Sequence, residues 1–212
     1  MRKIPVFDIG DTLIPSSENI NQAVNRELEK EGIDEKPFFP INEFNIYKIE
    51  DVQAWLDKHG LDGDAEAIRD AYLEWKDEYF ESSGIIEELK EVNEEFGPIG
   101  FISDNSLEAK KYYEEIFKRH DLDYRGFVVS EEAGAEKPEK RIFEEFLKER
   151  REDAERFVYF GNYVDRDRGA EKTGMDFVWV KQFHTFDSST EGPQINRLNY
   201  RNVSRVLEEV EN

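Results

Sequence analysis

Four short stretches of this chain place reactive side chains where an apolar run gives way to a turn. In the first, Phe7-Asp8-Ile9-Gly10-Asp11-Thr12-Leu13, a carboxylate is followed by a tight turn whose backbone N–H groups can bind an anion. In the second, Ser103 closes an apolar run, and Asp104-Asn105-Ser106 opens a helix whose N–H groups would point at the same spot. In the third, Ala135-Glu136-Lys137-Pro138 leads into another helix, with Pro138 suited to its first turn. The fourth, Gly161-Asn162-Tyr163-Val164-Asp165-Arg166-Asp167, adds further carboxylates. Each has an ordinary explanation when taken alone: a capping aspartate, an N-cap at Asp104 or Ser106, one solvated lysine, a loop of Asp–Arg pairs. Four in order at successive strand ends are not explained that way. Attack by a carboxylate on a phosphoryl group is one chemistry that such a set could serve. That attack must overcome charge repulsion and therefore calls for a lysine and a divalent cation.

The elements that must position these residues follow from apolar periodicity. Strands are expected at Ile4 to Phe7, Ile99 to Ile102, Gly126 to Val129, Phe157 to Phe160 and Phe177 to Val180, alternating with helical patterns in the manner of a parallel α/β sheet. Ile85, Ile86, Leu89, Val92 and Phe96 share one helical face, as do Tyr112, Tyr113, Ile116 and Phe117. Ile142, Phe143, Phe146 and Leu147 form a third such face, and Val203, Val206, Leu207 and Val210 a fourth. Open parallel sheets bind ligands at the carboxyl ends of their strands, where the four stretches lie.

One interval breaks the alternation. About ninety residues separate the first two strands, far more than a single crossover helix needs. They read as three helices: Ser17 to Glu31, Glu50 to Lys58 and Asp64 to Glu81. Pro37-Phe38-Phe39-Pro40 marks a loop between the first two. Ile68, Tyr72, Trp75 and Tyr79 keep a helical period that reads as the insertion's own core. The proline-bracketed Phe38 and Phe39 are the better candidates for lining a substrate pocket.

Composition removes several function classes. The chain has 212 residues with 50 acidic and 29 basic side chains, a formal charge of -21. Such a surface repels nucleic-acid phosphates and anionic lipid. Cysteine is absent, so disulfides, thiolate metal sites and cysteine nucleophiles are excluded. His59, His120 and His184 lack ligand spacing. No apolar run approaches the ~20 residues of a membrane helix, and the apolar stretch after Met1-Arg2-Lys3 ends at Asp8, too short for a signal-peptide core. A soluble, cytoplasmic protein is expected, with a small phosphorylated molecule as its partner and neither nucleic acid nor membrane. Nothing in the sequence speaks to its oligomeric state.

The constellation resembles the haloacid dehalogenase-like hydrolase superfamily, in the branch with a helical cap inserted after the first strand. The resemblance rests on Asp8 with Thr12-Leu13, on Ser103, and on Lys137-Pro138 followed by Ile142-Phe143. It also rests on Gly161 to Asp167 running into Gly169-Ala170 and Gly174-Met175. It implies a Rossmann-like parallel five-stranded sheet with helices on both faces. The core domain would span 1–15 and 83–212, and the cap 16–82. Asp8 is then the nucleophile of an aspartyl-phosphate mechanism, and Ser103 and Lys137 hold the transferred group. Thr12, Asp104 and Asn105 border the substrate. Mg²⁺ is the implied cofactor, held by Asp8, Asp167 and the carbonyl of Gly10, with Asn162 nearby and Asp165 as the alternative to Asp167.

Two departures from the pattern matter. Phosphatases of this superfamily carry a second aspartate two residues after the nucleophile, which protonates the leaving group; here that place is Gly10 and the acid is displaced to Asp11. Asn162 stands where an aspartate often follows the glycine, and this removes one negative charge from the metal site. Three readings follow: Asp11 or a cap residue replaces the missing group, the leaving group is one that needs no proton, or turnover is negligible. The last outcome describes a non-catalytic phosphate- or partner-binding protein. The superfamily's metal-independent 2-haloacid dehalogenases also lack the second aspartate and show an Asn-x-x-Asp pattern like Asn162 to Asp165. They carry an aromatic where Gly10 sits, however, and an arginine that Arg26 does not match in spacing.

The acidity suggests a halophilic source, although lysine, at fifteen of the 29 basic residues, is not depleted. Thermal unfolding should then show a rise in melting temperature in molar salt, and no gain removes the idea.

Overall fold

The computed structural model describes residues 2–41, 43–183 and 191–211. The chain divides into two compact units, Met1–Ile14 with Gly84–Asn212, and Pro15–Ser83.

The first unit is built on six strands: β1 (Ile4–Phe7), β2 (Gly100–Ser103), β3 (Phe127–Val129), β4 (Phe157–Gly161), β5 (Asp176–Val180) and β6 (Gln194–Ile195). All pair in parallel, in the order β3-β2-β1-β4-β5-β6. The sheet thus runs outward from β1 in both directions, and β1 and β4 flank the point where the order reverses. That is where an open α/β sheet leaves a crevice at its carboxyl edge. The sixth strand corrects the expectation of five. It lies in the stretch from Phe183 to Asn199, for which the sequence showed no strand pattern and of which 184–190, including His184, lie outside the described residues. Two residues, one of them an exposed glutamine, are too few to show a period of two.

The strands are buried on both sides, as a doubly covered sheet requires. On one face Ile4, Val6, Ile102, Val128, Phe157, Tyr159 and Phe177 pack with Ile142, Phe143 and Phe146 of a helix over Lys140–Arg150. On the other, Phe7 meets Phe160 and Phe101 stacks on Phe117 at ring separations of 5.2 and 4.6 Å. Phe117 belongs to the helix Leu107–Arg119, which Ser106 caps by accepting the Ala109 N–H at 3.1 Å. The helices Ile85–Phe96 and Tyr200–Glu211 are tied together where Tyr200 donates its N–H to Glu88 at 2.6 Å and its hydroxyl to Glu95.

The second unit contains the helices Ser16–Lys30, Ile49–His59 and Ala65–Ser82, the last capped by Asp64. Ile20, Val24, Leu28, Val52, Trp55, Leu56, Ile68 and Tyr72 form its core, with Trp75 packed against it. Phe38 and Phe39 do not pair as a pocket lining. Phe39 is fully buried against Trp55, 5.2 Å between rings, whereas Phe38 is 70% exposed. The chain is held in this turn by the Phe39 N–H on Asn21 and by the Trp55 indole on the Phe38 carbonyl, so consecutive side chains point opposite ways. The unit also buries Lys76, whose amine meets the Tyr47 hydroxyl and lies 4.8 and 5.1 Å from the Tyr47 and Tyr72 rings. Burial holds that amine well below the usual lysine range. Among the described residues no helix is long and apolar enough to cross a membrane.

Phe146 reaches the sheet because Gly100 and Gly126 leave room for its ring; a Cβ on Gly100 would lie 2.5 Å from it. Gly100→Ala should therefore destabilise the first unit by about 1–3 kcal/mol, read from the midpoint of urea unfolding.

Candidate active site

β1 delivers Asp8 to the carboxyl edge of the sheet, its own N–H fixed by the Phe160 carbonyl of β4 at 2.8 Å. The chain then turns sharply. Thr12, Leu13 and Ile14 all donate N–H groups to the Ile9 carbonyl, and Asp11 takes a left-handed backbone with φ 55°. Aspartate tolerates that conformation better than most residues. The turn buries Asp8, Asp11 and Thr12, leaving each no more than 6% exposed.

Lys137 enters from the loop before the Lys140–Arg150 helix. Its amine lies 2.9 Å from Asp8 Oδ1 and 2.7 Å from Asp167 Oδ1, with Asp104 Oδ2 at 4.0 Å. A third close acceptor is the Tyr159 hydroxyl at 3.1 Å. The amine donates hydrogen bonds to Asp167 and Tyr159, and Asp8 completes its surroundings as an ion-pair partner. Two buried carboxylates share this one cation, so the cluster keeps an excess negative charge. Burial works against the Lys137 ammonium, but Asp167 and Asp8 outweigh it and hold the amine well above the usual lysine range. The excess falls on Asp167, which is fully buried. Burial outweighs the attraction of Lys137, Asp8 adds repulsion, and the carboxyl is pushed up to about 6.

The fourth stretch resolves into a short helix, Val164–Asp167, that turns Asp167 inward and leaves Asp165 exposed. Of the two, Asp167 alone reaches the cluster, and Asp165 is set aside as its alternative. Asp167 Oδ2 accepts the Tyr163 N–H at 2.8 Å and lies against the end of β4. Only glycine permits this at 161, since a Cβ there would come within 2.3 Å of that oxygen. Asn162 is buried beside it; its carbonyl takes the Trp179 indole N–H at 2.9 Å.

Ser103 ends β2, next to β1, and is 2% exposed. Asn105 donates its amide to Ser103 Oγ at 2.8 Å, which leaves the serine's own proton for an acceptor in the site. Asp104, expected beside a substrate, lies 4.0 Å from the Lys137 amine, with both its oxygens engaged by other protein groups. Its Oδ1 accepts the Lys137 N–H at 2.9 Å and its Oδ2 pairs with Arg166 at 3.1 Å. Burial pushes its carboxyl up, and the nearby Lys137 charge eases that shift. Tyr159 and Arg166 were not singled out from sequence. The one signal for Tyr159 was a lone phenol in an otherwise apolar strand, which needs a buried partner.

The donor set also bears on a cation. Among the described residues no group of three or more histidine or acidic side chains is arranged to hold a metal. The oxygens present are nonetheless hard ones. Asp8 Oδ2 and Asn162 Oδ1 both lie 3.3 Å from the single Thr12 hydroxyl, one proton between two acceptors. With Asp167, these are oxygens of the kind taken by Mg²⁺, which is commonly bound through one or two carboxylates while keeping several waters.

The raised Asp167 carboxyl makes a signed prediction for the metal-free protein. Between the usual aspartate value of 3.8 and about 6 the folded chain binds more protons here than the unfolded one. Stability contributed by this group is present in acid and lost as pH rises through 6. Relative to Asp167→Asn, the wild type should gain roughly 1 kcal/mol between pH 7 and pH 5 in parallel urea titrations.

The family model for haloacid dehalogenase-like hydrolase matches residues 5–180. A protein named glyceraldehyde 3-phosphate phosphatase, from Methanopyrus kandleri, is 25% identical over 199 residues, covering 86% of this chain and 85% of its own. Among solved structures, YfnB from Bacillus subtilis, bound to magnesium, superposes with a TM-score of 0.66 at 16% identity over 98% of this chain and 99% of its own. CbbY from Rhodobacter sphaeroides, in complex with phosphate, gives a TM-score of 0.62 at 17% identity over 92% and 94%. With a matching model over most of its length and the same fold in both structures, this chain belongs to the haloacid dehalogenase-like hydrolases.

Proposed function

We propose that the protein is a phosphoric monoester hydrolase acting on a small soluble phosphate ester, with Asp8 as nucleophile. The observation that carries this reading is the Lys137 amine bridging Asp8 and Asp167, at 2.9 and 2.7 Å, beside the strand-order reversal. A buried carboxylate held by a lysine at this edge of the sheet is poised to attack an electrophile that brings its own negative charge. The phosphatase name of the Methanopyrus relative supports the substrate class.

Asp8 oxygen forms a bond to phosphorus as the ester P–O bond breaks, giving an aspartyl-phosphate and an alkoxide that takes up a proton. Water then cleaves the acyl phosphate and restores the carboxylate. Ser103 donates a hydrogen bond to a phosphoryl oxygen, and the Lys137 charge offsets the anions gathered around it. Asp11, buried in the turn after Gly10, is the proposed acid–base group; loss of such help costs ~10²–10⁴-fold in rate. Asp8, Asp167, Asn162 and the Gly10 carbonyl would hold Mg²⁺, which when bound supplies charge neutralisation for the phosphoryl oxygens. The helical unit Pro15–Ser83 is proposed as the cap that selects the substrate. With Asp165 exposed, the Asn-x-x-Asp arrangement of a dehalogenase is not assembled, and that reading is not favoured.

Hydrolysis of p-nitrophenyl phosphate and a panel of three- to six-carbon sugar phosphates should require Mg²⁺, stop on chelation, and fall at least ~10³-fold in Asp8→Asn. Equal rates in both proteins remove the mechanism. Gly10→Asp discriminates further: unchanged turnover fits Asp11 as the acid, and a large rise shows that the native site lacks one.

A further inference from the structure

The carboxylates that pair with Lys137 account for its charge but not for its position. Two acceptors leave an amine free to swing about the line that joins them, and a third contact is what fixes it. That contact comes from within the sheet. Tyr159, in the middle of β4 and fully buried, accepts from Lys137 Nζ at 3.1 Å and donates its own proton to the Ile102 carbonyl of β2 at 2.8 Å. The phenol is itself immobilised, since the Phe143 ring packs edge-on against it at 5.3 Å.

The backbone of Lys137 is held as closely as its amine. Its N–H goes to Asp104 Oδ1 at 2.9 Å and its carbonyl accepts from Arg166 Nε at 3.0 Å. Arg166 Nη2 then meets Asp104 Oδ2 at 3.1 Å, closing a ring through three loops, and also reaches Glu136 at 2.9 Å. A planar guanidinium meets the two contacts from separate nitrogens, Nε and Nη2, held in a rigid fork that the single nitrogen of a lysine lacks.

We propose that Tyr159 and Arg166 are positioning residues that act through Lys137. The phenol sets the place of the amine, and the guanidinium, with Asp104, sets the place of its backbone. Neither touches the reacting atoms. The assignment rests on the phosphatase reading above and deepens it. It explains why a phenol occupies an apolar strand and why an arginine lies in a loop otherwise rich in acids.

Tyr159→Phe keeps the ring and its contact with Phe143 but leaves one Lys137 N–H without its acceptor. Arg166→Met keeps an aliphatic stem and removes both bridges. Arg166→Lys keeps the charge and loses the fork. In steady-state kinetics with Mg²⁺, each variant should lower kcat about 10-fold with KM within about twofold, because a misplaced group weakens the transition state more than substrate binding. Arg166→Lys should resemble Arg166→Met rather than wild type. Circular dichroism and melting curves report the folded fraction. A kcat that is retained in a folded variant, or that falls only with the folded fraction, overturns the assignment of that residue. If Tyr159→Phe does not fold, the two variants of the partly exposed Arg166 decide the matter on their own. Asp8→Asn, run alongside, separates the two levels of inference. Hydrolysis that depends on Asp8 but not on Tyr159 or Arg166 ends the positioning role alone. Absence of any Asp8-dependent hydrolysis ends the functional reading and the positioning role with it.

Discussion

One buried ammonium serving two buried carboxylates is the constraint around which the first unit is arranged. Removing such charges from water is costly unless each finds a partner, and an odd charge left over has to be accommodated. Here the leftover is negative, and it sits between Asp8 and Asp167 on either side of Lys137. A phosphoryl group, on the proposed reading, would add to that excess and would call for a counter-charge alongside it. Burial, together with the same imbalance, pushes the carboxyl of Asp167, which has no exposed surface, up to about 6.

Holding three charges in register takes more than their mutual attraction. β1 and β4 are neighbours, so Asp8 and the Gly161 loop start side by side. Gly161 lacks a side chain where the Asp167 carboxylate lies, and Thr12 touches both Asp8 and Asn162. Lys137 comes from a different loop and is held by groups on the segment after β2, on β4 and on the segment after β4. The site is therefore distributed over chain segments far apart in sequence. Only the completed sheet brings them together, which fits a strand order that reverses at β1.

Much of this was legible in the sequence because apolar strands and polar turns obey different rules. Asp8, Ser103 and Lys137 stood out as polar residues at the ends of buried runs, and the sheet was readable from the runs themselves. What stayed hidden depended on single-residue geometry. Asp165 and Asp167 are two apart, yet the short helix that carries them turns one outward and one inward. No periodicity reports such a rotation. Phe38 and Phe39 sit in a proline-bounded loop with no regular repeat, so their opposite fates followed from the Asn21 and Trp55 contacts alone. The sixth strand was too short to leave a pattern. Asp104 looked like a substrate contact because its distant partner, Arg166, can be known only once β2 and β4 are placed.

The indole of Trp179 ties a chromophore to the loop beside Asp8 and Asp167. Its N–H is fixed on the Asn162 carbonyl, and it is the one tryptophan of the first unit, while Trp55 and Trp75 belong to the second. Light absorbed by this ring is emitted from a residue hydrogen-bonded to the carboxyl edge of the sheet. Rearrangement of that loop is thereby written into the protein's own fluorescence, without any attached label.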